Sequence, residues 1–182
     1  MGELRKELIA TLRHAHNKRL PRSKGKDRRG QIPNMLSIHV RPPEIEDRQF
    51  PGHWEEDLIK GEGNASAVGT LVERTSRLVM LVKLPEFKPA SAANVLQAFT
   101  DKLLGIAQPM RLSMTKTQGR EMSMHKKLSE QPGIAVYFCD PHSPWQRGSN
   151  ENMNGLVRRY LPKGAGLSIY SQEQLDAIAD EI

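Results

Sequence analysis

The sequence predicts an α/β fold, a five-stranded mixed sheet with helices covering its faces. Three observations carry that prediction. A chain of 182 residues with 37% apolar and 26% charged content has the size and balance of one domain around a single core. Three strand-like runs follow one another from residue 53 to residue 84 with short connections. Beyond them, strand-like and helix-like segments alternate, the pattern that lays helices against a sheet.

Residues 3–12 open with a short amphipathic pattern, Leu4, Leu8, Ile9 and Leu12 lying on one side. Arg13 to Arg29 is basic and punctuated by Pro and Gly, as a linker or a DNA-contacting arm would be. Pro42, Pro43 and Pro51 keep the next stretch extended, so residues 1–50 are expected as a basic arm and linker, and 51–182 as the core. Within the core, His53 to Ile59, Ala67 to Glu73 and Leu78 to Leu84 form an antiparallel meander. Ser91 caps a helix in which Val95, Leu96, Phe99, Leu103 and Leu104 recur at helical spacing. Met110 to Thr115 is a fourth strand, Glu121 to Leu128 a helix, and Ile134 to Cys139 a fifth strand. A Pro-rich loop from Asp140 to Gly148 leads into a helix over Asn150 to Tyr160, and Ser171 opens a last helix. That helical pattern still runs at Ile182, which reads as a truncation. The ribonuclease H-like fold has this order of elements.

Charge and cysteine content narrow the function classes. Residues 1–30 hold 10 Lys/Arg against 3 Asp/Glu, a net of +7, while the rest holds 17 against 18, a net of −1. A basic block of this kind attracts the nucleic-acid backbone, although a solvated tail has the same composition. One cysteine, Cys139, excludes an internal disulfide framework and a multi-cysteine zinc site, and a reducing cytosol is the expected compartment. No apolar run approaches the roughly 18 residues that a membrane span needs. The glycines of Lys60 to Gly69 lack the Gly-Lys-Ser/Thr of a phosphate-binding loop.

Cutting or joining phosphodiesters commonly uses two divalent metals held by carboxylates. Asp57, at the end of the first strand, and Glu151, in the first turn of the helix after the Pro-rich loop, meet that demand. Each alone has a plainer explanation, because a strand-end Asp often serves a turn and an N-terminal Glu often answers the helix dipole.

Longer words surround both residues. Gly52-His53-Trp54-Glu55 followed by Ala67-Val68-Gly69-Thr70-Leu71-Val72-Glu73-Arg74 resembles the opening of an insertion-sequence DDE transposase core. Tyr137-Phe138-Cys139-Asp140-Pro141-His142-Ser143-Pro144-Trp145-Gln146-Arg147-Gly148, then Asn150-Glu151-Asn152, resembles its closing signature. With Asp27-Arg28-Arg29-Gly30-Gln31-Ile32-Pro33-Asn34 upstream, the likeness is to the family whose founding insertion sequence carries the number thirty, and it covers nearly the whole chain.

The resemblance implies a retroviral-integrase-like core in which two Asp and one Glu hold magnesium or manganese. Asp57 matches the first Asp and Glu151 the Glu. The second Asp belongs immediately before Gln118-Gly119-Arg120, 34 positions ahead of Glu151, where this chain has Thr117. A neutral hydroxyl is a poorer ligand for a hard dication than a carboxylate, so metal binding is expected to be weakened. Asp140 and Glu55 are the acids nearest in sequence pattern that can be asked to compensate. Asp140 belongs to the signature and is expected to shape the loop before Pro141, and Glu55 alternates onto the face of Asp57. Trp145 has two readings, DNA contact or packing. Arg28, Arg29, Arg147, Arg158, Arg159 and Lys163 are the expected phosphate contacts.

The function implied is DNA transposition and integration, cutting and joining DNA ends, impaired in this copy by Thr117. The alternative is a non-catalytic DNA-binding or assembly-interfering remnant. A ribonuclease H-type nuclease would share the fold without explaining the transposase words. Partners implied are transposon-end and target DNA and further copies of the chain during transposition, in the bacterial cytoplasm near the nucleoid and away from membranes.

Overall fold

The computed structural model describes residues 32, 34–86 and 89–182. Its centre is a six-stranded mixed sheet. The strands are β1 (Leu36–Ser37), β2 (His53–Lys60), β3 (Ala67–Glu73), β4 (Val79–Lys83), β5 (Ser113–Lys116) and β6 (Ala135–Phe138). They lie side by side in the order β1-β6-β5-β2-β3-β4. β2, β3 and β4 pair antiparallel as a meander, whereas β5 and β6 add in parallel on the other side of β2. This is the ribonuclease H-like, integrase-type arrangement. Five strands correspond to the five that the sequence predicts, β5 with a later start. The sixth, β1, is a two-residue edge pairing Leu36 with Tyr137 and Ser37 with Phe138 inside a stretch expected as linker.

Among the described residues, four helices cover the sheet: α1 (Ala92–Leu104), α2 (His125–Glu130), α3 (Gly148–Val157) and α4 (Gln172–Asp180). α1 begins where Ser91 accepts a hydrogen bond from Asn94 N, so the expected cap is formed. Its Val95, Phe99 and Leu103 pack with Trp54, Leu71 and Phe138 into the core on one face. Gly69 of β3 is fitted to this helix, since a Cβ there would lie 2.4 Å from Phe99 Cζ. On the other face, Met153 and Val157 of α3 and Leu175 of α4 bury Ile59, Val72 and Leu81. The edge of β4 is closed by Gln172, whose side chain accepts from Lys83 N at 2.9 Å and donates to Leu81 O at 2.8 Å.

Two stretches differ from the periodicity. The strand expected from Met110 starts at Ser113, because Gln108–Met110 makes a 3-10 turn whose Met110 carbonyl accepts the Trp54 indole N–H at 2.8 Å. The helix expected over Glu121 to Leu128 divides into a 3-10 turn at Arg120–Met122 and α2. The amphipathic pattern of residues 3–12 and the basic stretch with Arg28 and Arg29 lie outside the described residues. Residues 34–50 fold back on the sheet through buried Ile38, Arg41 and Ile45. No helix among the described residues is long and apolar enough to cross a membrane.

Candidate active site

Alternation along β2 sorts its charged residues onto two faces. Glu55, Asp57 and Ile59 face α3, while Trp54, Glu56 and Leu58 face α1 and α2. Glu55 and Glu56 are 0% and 3% exposed, so each needs a partner in the fold.

Glu55 binds the start of α3. One of its carboxylate oxygens accepts Asn150 N at 2.8 Å, an N–H of the first turn that has no partner inside the helix. The other lies 3.1 Å from Arg74 Nε. Asn150 returns a bond from Nδ2 to Glu55 O at 2.8 Å and accepts from Thr70 Oγ1 at 3.2 Å. These contacts fix the helix that carries Glu151 to β2 and β3. Arg74 continues through Ile45 O and Glu46 to Arg41, which donates to Thr115 Oγ1. Burial, with Arg74 close by, brings the Arg41 guanidinium down to about 10.

One turn further on, Asp57 and Glu151 converge. Arg147, with a side chain only 4% exposed, reaches between them from the turn Pro144–Arg147. Its Nη1 lies 3.2 Å from Asp57 Oδ2 and its Nη2 lies 3.2 Å from Glu151 Oε1. Nη1 also donates to Glu56 O at 3.0 Å, and Asn154 Nδ2 donates to Asp57 Oδ2 at 3.1 Å. Burial by itself would lower the basicity of Arg147, but the charge and hydrogen bond of Asp57, with Glu151 beyond, raise it instead. The two carboxylates thus meet on an internal cation.

Thr117 stands just past the end of β5. Glu55 pairs with Thr115 across the parallel β2–β5 ladder, so Asp57 and Thr117 are each two residues beyond one registered pair. Thr117 is exposed and neutral. Lys116, the residue before it, turns to the opposite face and forms a buried ion pair with Glu56. Burial pushes the Glu56 acid up and the Lys116 ammonium down, and each charge opposes the other's shift.

The other expected site residues divide sharply. Arg147 is turned into the protein and bonded to Asp57 and Glu151. Arg158 gives Nη1 to Leu161 O and Nη2 to Lys60 O, closing the end of α3 against β2. Arg159 and Lys163 are exposed. Asp140 shapes its loop: Gln146 accepts from its N–H and donates to its Oδ2, and His39 Nε2 lies 2.8 Å from the same oxygen. Glu55 is committed to Arg74 and the start of α3. Cys139 is buried, and that burial pushes its thiol up to about 11, which makes it a poor nucleophile. Glu55 as the anchor of α3, Asn150, Arg74 and the Glu56–Lys116 pair were not legible as site-building residues. Only the alternation of Glu55 with Asp57 hinted at one of them.

Among the described residues, no three of His, Cys, Asp and Glu stand together as a metal site requires. Two carboxylates already bonded to Arg147, whose single positive charge offsets one of theirs, do not by themselves fit a pair of dications.

Known proteins with similar sequences are transposases. The chain is 65% identical over 181 residues to the transposase for insertion sequence element IS1086 of Cupriavidus metallidurans, a match covering 100% of this chain and 52% of that protein. Over its whole length it is similar to part of an insertion-sequence transposase. Transposase InsI for insertion sequence element IS30A of Escherichia coli is 42% identical over 177 residues, covering 96% of this chain and 45% of its own length. The transposase for insertion sequence element IS4351 of Bacteroides fragilis is 30% identical over 154 residues, covering 85% and 46%. The chain spans about half the length of the curated relatives it matches. No family model matches it. In three dimensions it resembles a chain of the simian T-cell lymphotropic virus intasome, solved by cryo-EM in complex with PP2A regulatory subunit B56 gamma. The TM-score is 0.55 at 14% identity, over 80% of this chain and 51% of that one, a likeness of fold.

Proposed function

We propose that this chain is the core of a DNA transposase, built to act on DNA ends, whose metal site is disabled at Thr117. The observation that carries the reading is the convergence of Asp57 and Glu151, from β2 and α3, with Thr117 just past the end of β5, two residues beyond the partner of Glu55 as Asp57 is beyond Glu55. In a working core of this design, three acids would hold magnesium or manganese, which would supply the Lewis acid for phosphodiester attack. Here Asp57 and Glu151 remain, and Arg147 offsets one of their two charges. The chain is therefore expected to bind DNA and to show little metal-dependent cutting or joining of DNA ends. Pairing of two transposon ends would call for more than one copy.

Manganese titration by calorimetry tests this directly. Thr117→Asp adds a negative charge next to Asp57 and should strengthen manganese binding over the unaltered chain. Adding Asp57→Asn or Glu151→Gln to the Thr117→Asp protein should abolish the gain, since each removes a charge at nearly constant shape. Tight binding of two ions by the unaltered chain, or no gain from Asp at 117, would show that the site lies on other residues.

A further inference from the structure

Packing does not account for Trp145. It is 74% exposed on the turn Pro144–Arg147, whereas the other tryptophan, Trp54, is 1% exposed and hydrogen-bonded to Met110 O. The turn that carries Trp145 is held on both sides. Before it, Asp140 is clamped by Gln146 and His39. After it, Arg147 spans Asp57 and Glu151. The turn beneath the indole is thus held, and the indole stands in water two residues from the guanidinium that joins the two carboxylates.

We propose that Trp145 is a stacking platform for an unpaired base at a DNA end brought to the Asp57–Glu151 site. The proposal rests on the reading of this chain as a transposase core. Two features select a base over an apolar protein partner. Among the described residues of 140–148, Trp145 is the one large hydrophobic side chain that is exposed, and a protein-docking surface needs a contiguous apolar patch. A base needs only one π-face, and stacking of this kind is tolerant of sequence. Bases within a duplex keep both faces stacked on their neighbours. The platform therefore discriminates for a terminal, frayed or displaced nucleotide, the form a strand must take where its end is processed.

Because Trp54 is buried, quenchable fluorescence reports on Trp145. The full chain is titrated with a blunt duplex and with the same duplex carrying a few unpaired nucleotides at one end. The unpaired end should bind more tightly and quench the emission more strongly. Trp145→Ala should weaken binding to the unpaired end by roughly tenfold and leave binding to the blunt duplex unchanged. Trp145→Phe keeps a ring and should retain most of the preference. An unaltered preference in Trp145→Ala, or equal quenching by both duplexes, overturns the platform while leaving the transposase reading in place. Absence of DNA binding by the unaltered chain overturns both.

Discussion

Glu56 and Lys116 each stand one residue before a position of the candidate site, on the opposite face of the sheet from it. Both are almost fully buried, at 3% and 1% exposure, where an unpaired charge is costly. Replacing Lys116 with Met should therefore cost about 3–5 kcal/mol, because Glu56 is left without a partner. Replacing both, as Glu56→Leu with Lys116→Met, should recover most of that loss. Urea unfolding of the two proteins and the unaltered chain measures the difference. Equal destabilisation of single and double variants would show that the two residues do not act as a pair. Nothing in the sequence points to this pair, since the residues are 60 positions apart and a charged residue in a strand normally implies a wet face. Arg147 is the same kind of case. Its place in a basic, Pro-rich loop suggests phosphate contact, and only the fold brings Asp57, 90 positions away, to its guanidinium.

Elements were easier to read than contacts, because a strand or helix advertises its period while a tertiary partner does not. β3 runs over Ala67–Glu73 as its apolar run indicates, and the caps at Ser91 and Ser171 open α1 and α4. The family-like words become physical on the same basis. Glu73 gathers N–H groups from Gly52, His53, Thr75 and Ser76, tying the start of β2 to the β3–β4 turn. Burial would raise its acid, but the bonds from Ser76, Gly52 and Thr75 prevail and hold it low. Gly69 admits α1: Phe99 is fully buried and cannot retreat from an added methyl group. Gly69→Ala should cost about 1–3 kcal/mol through overpacking. Adding Phe99→Leu to Gly69→Ala should then cost less than Phe99→Leu costs alone in the unaltered chain. Thermal melts of the four proteins give that coupling, and strictly additive effects would mean that α1 is not seated on Gly69.

At the scale of the whole molecule, charge is divided unevenly between the arm and the rest. Residues 1–30 carry a net of +7 and residues 31–182 a net of −1. The core thus has no overall attraction for a polyanion, although Arg159 and Lys163 are exposed on it. If the arm neutralises phosphates, each contact releases counterions, and log K should fall by about 0.9 per phosphate against log salt. Binding of the full chain to duplex DNA of arbitrary sequence should therefore be steeply salt-dependent. Deleting residues 1–30 should flatten the slope, and the cut spares Ile32, which is 6% exposed in the core behind α1. Thr117→Asp adds one charge of the wrong sign near the site and should leave the arm's slope nearly intact, so DNA attraction and metal binding can be separated in one set of proteins. Measuring fluorescence anisotropy from about 50 to 200 mM salt spans the range in which several phosphate contacts change affinity by orders of magnitude. An unchanged slope after the deletion would move the DNA contact to Arg159, Lys163 and their neighbours on the core, and the arm would then be a solvated tail.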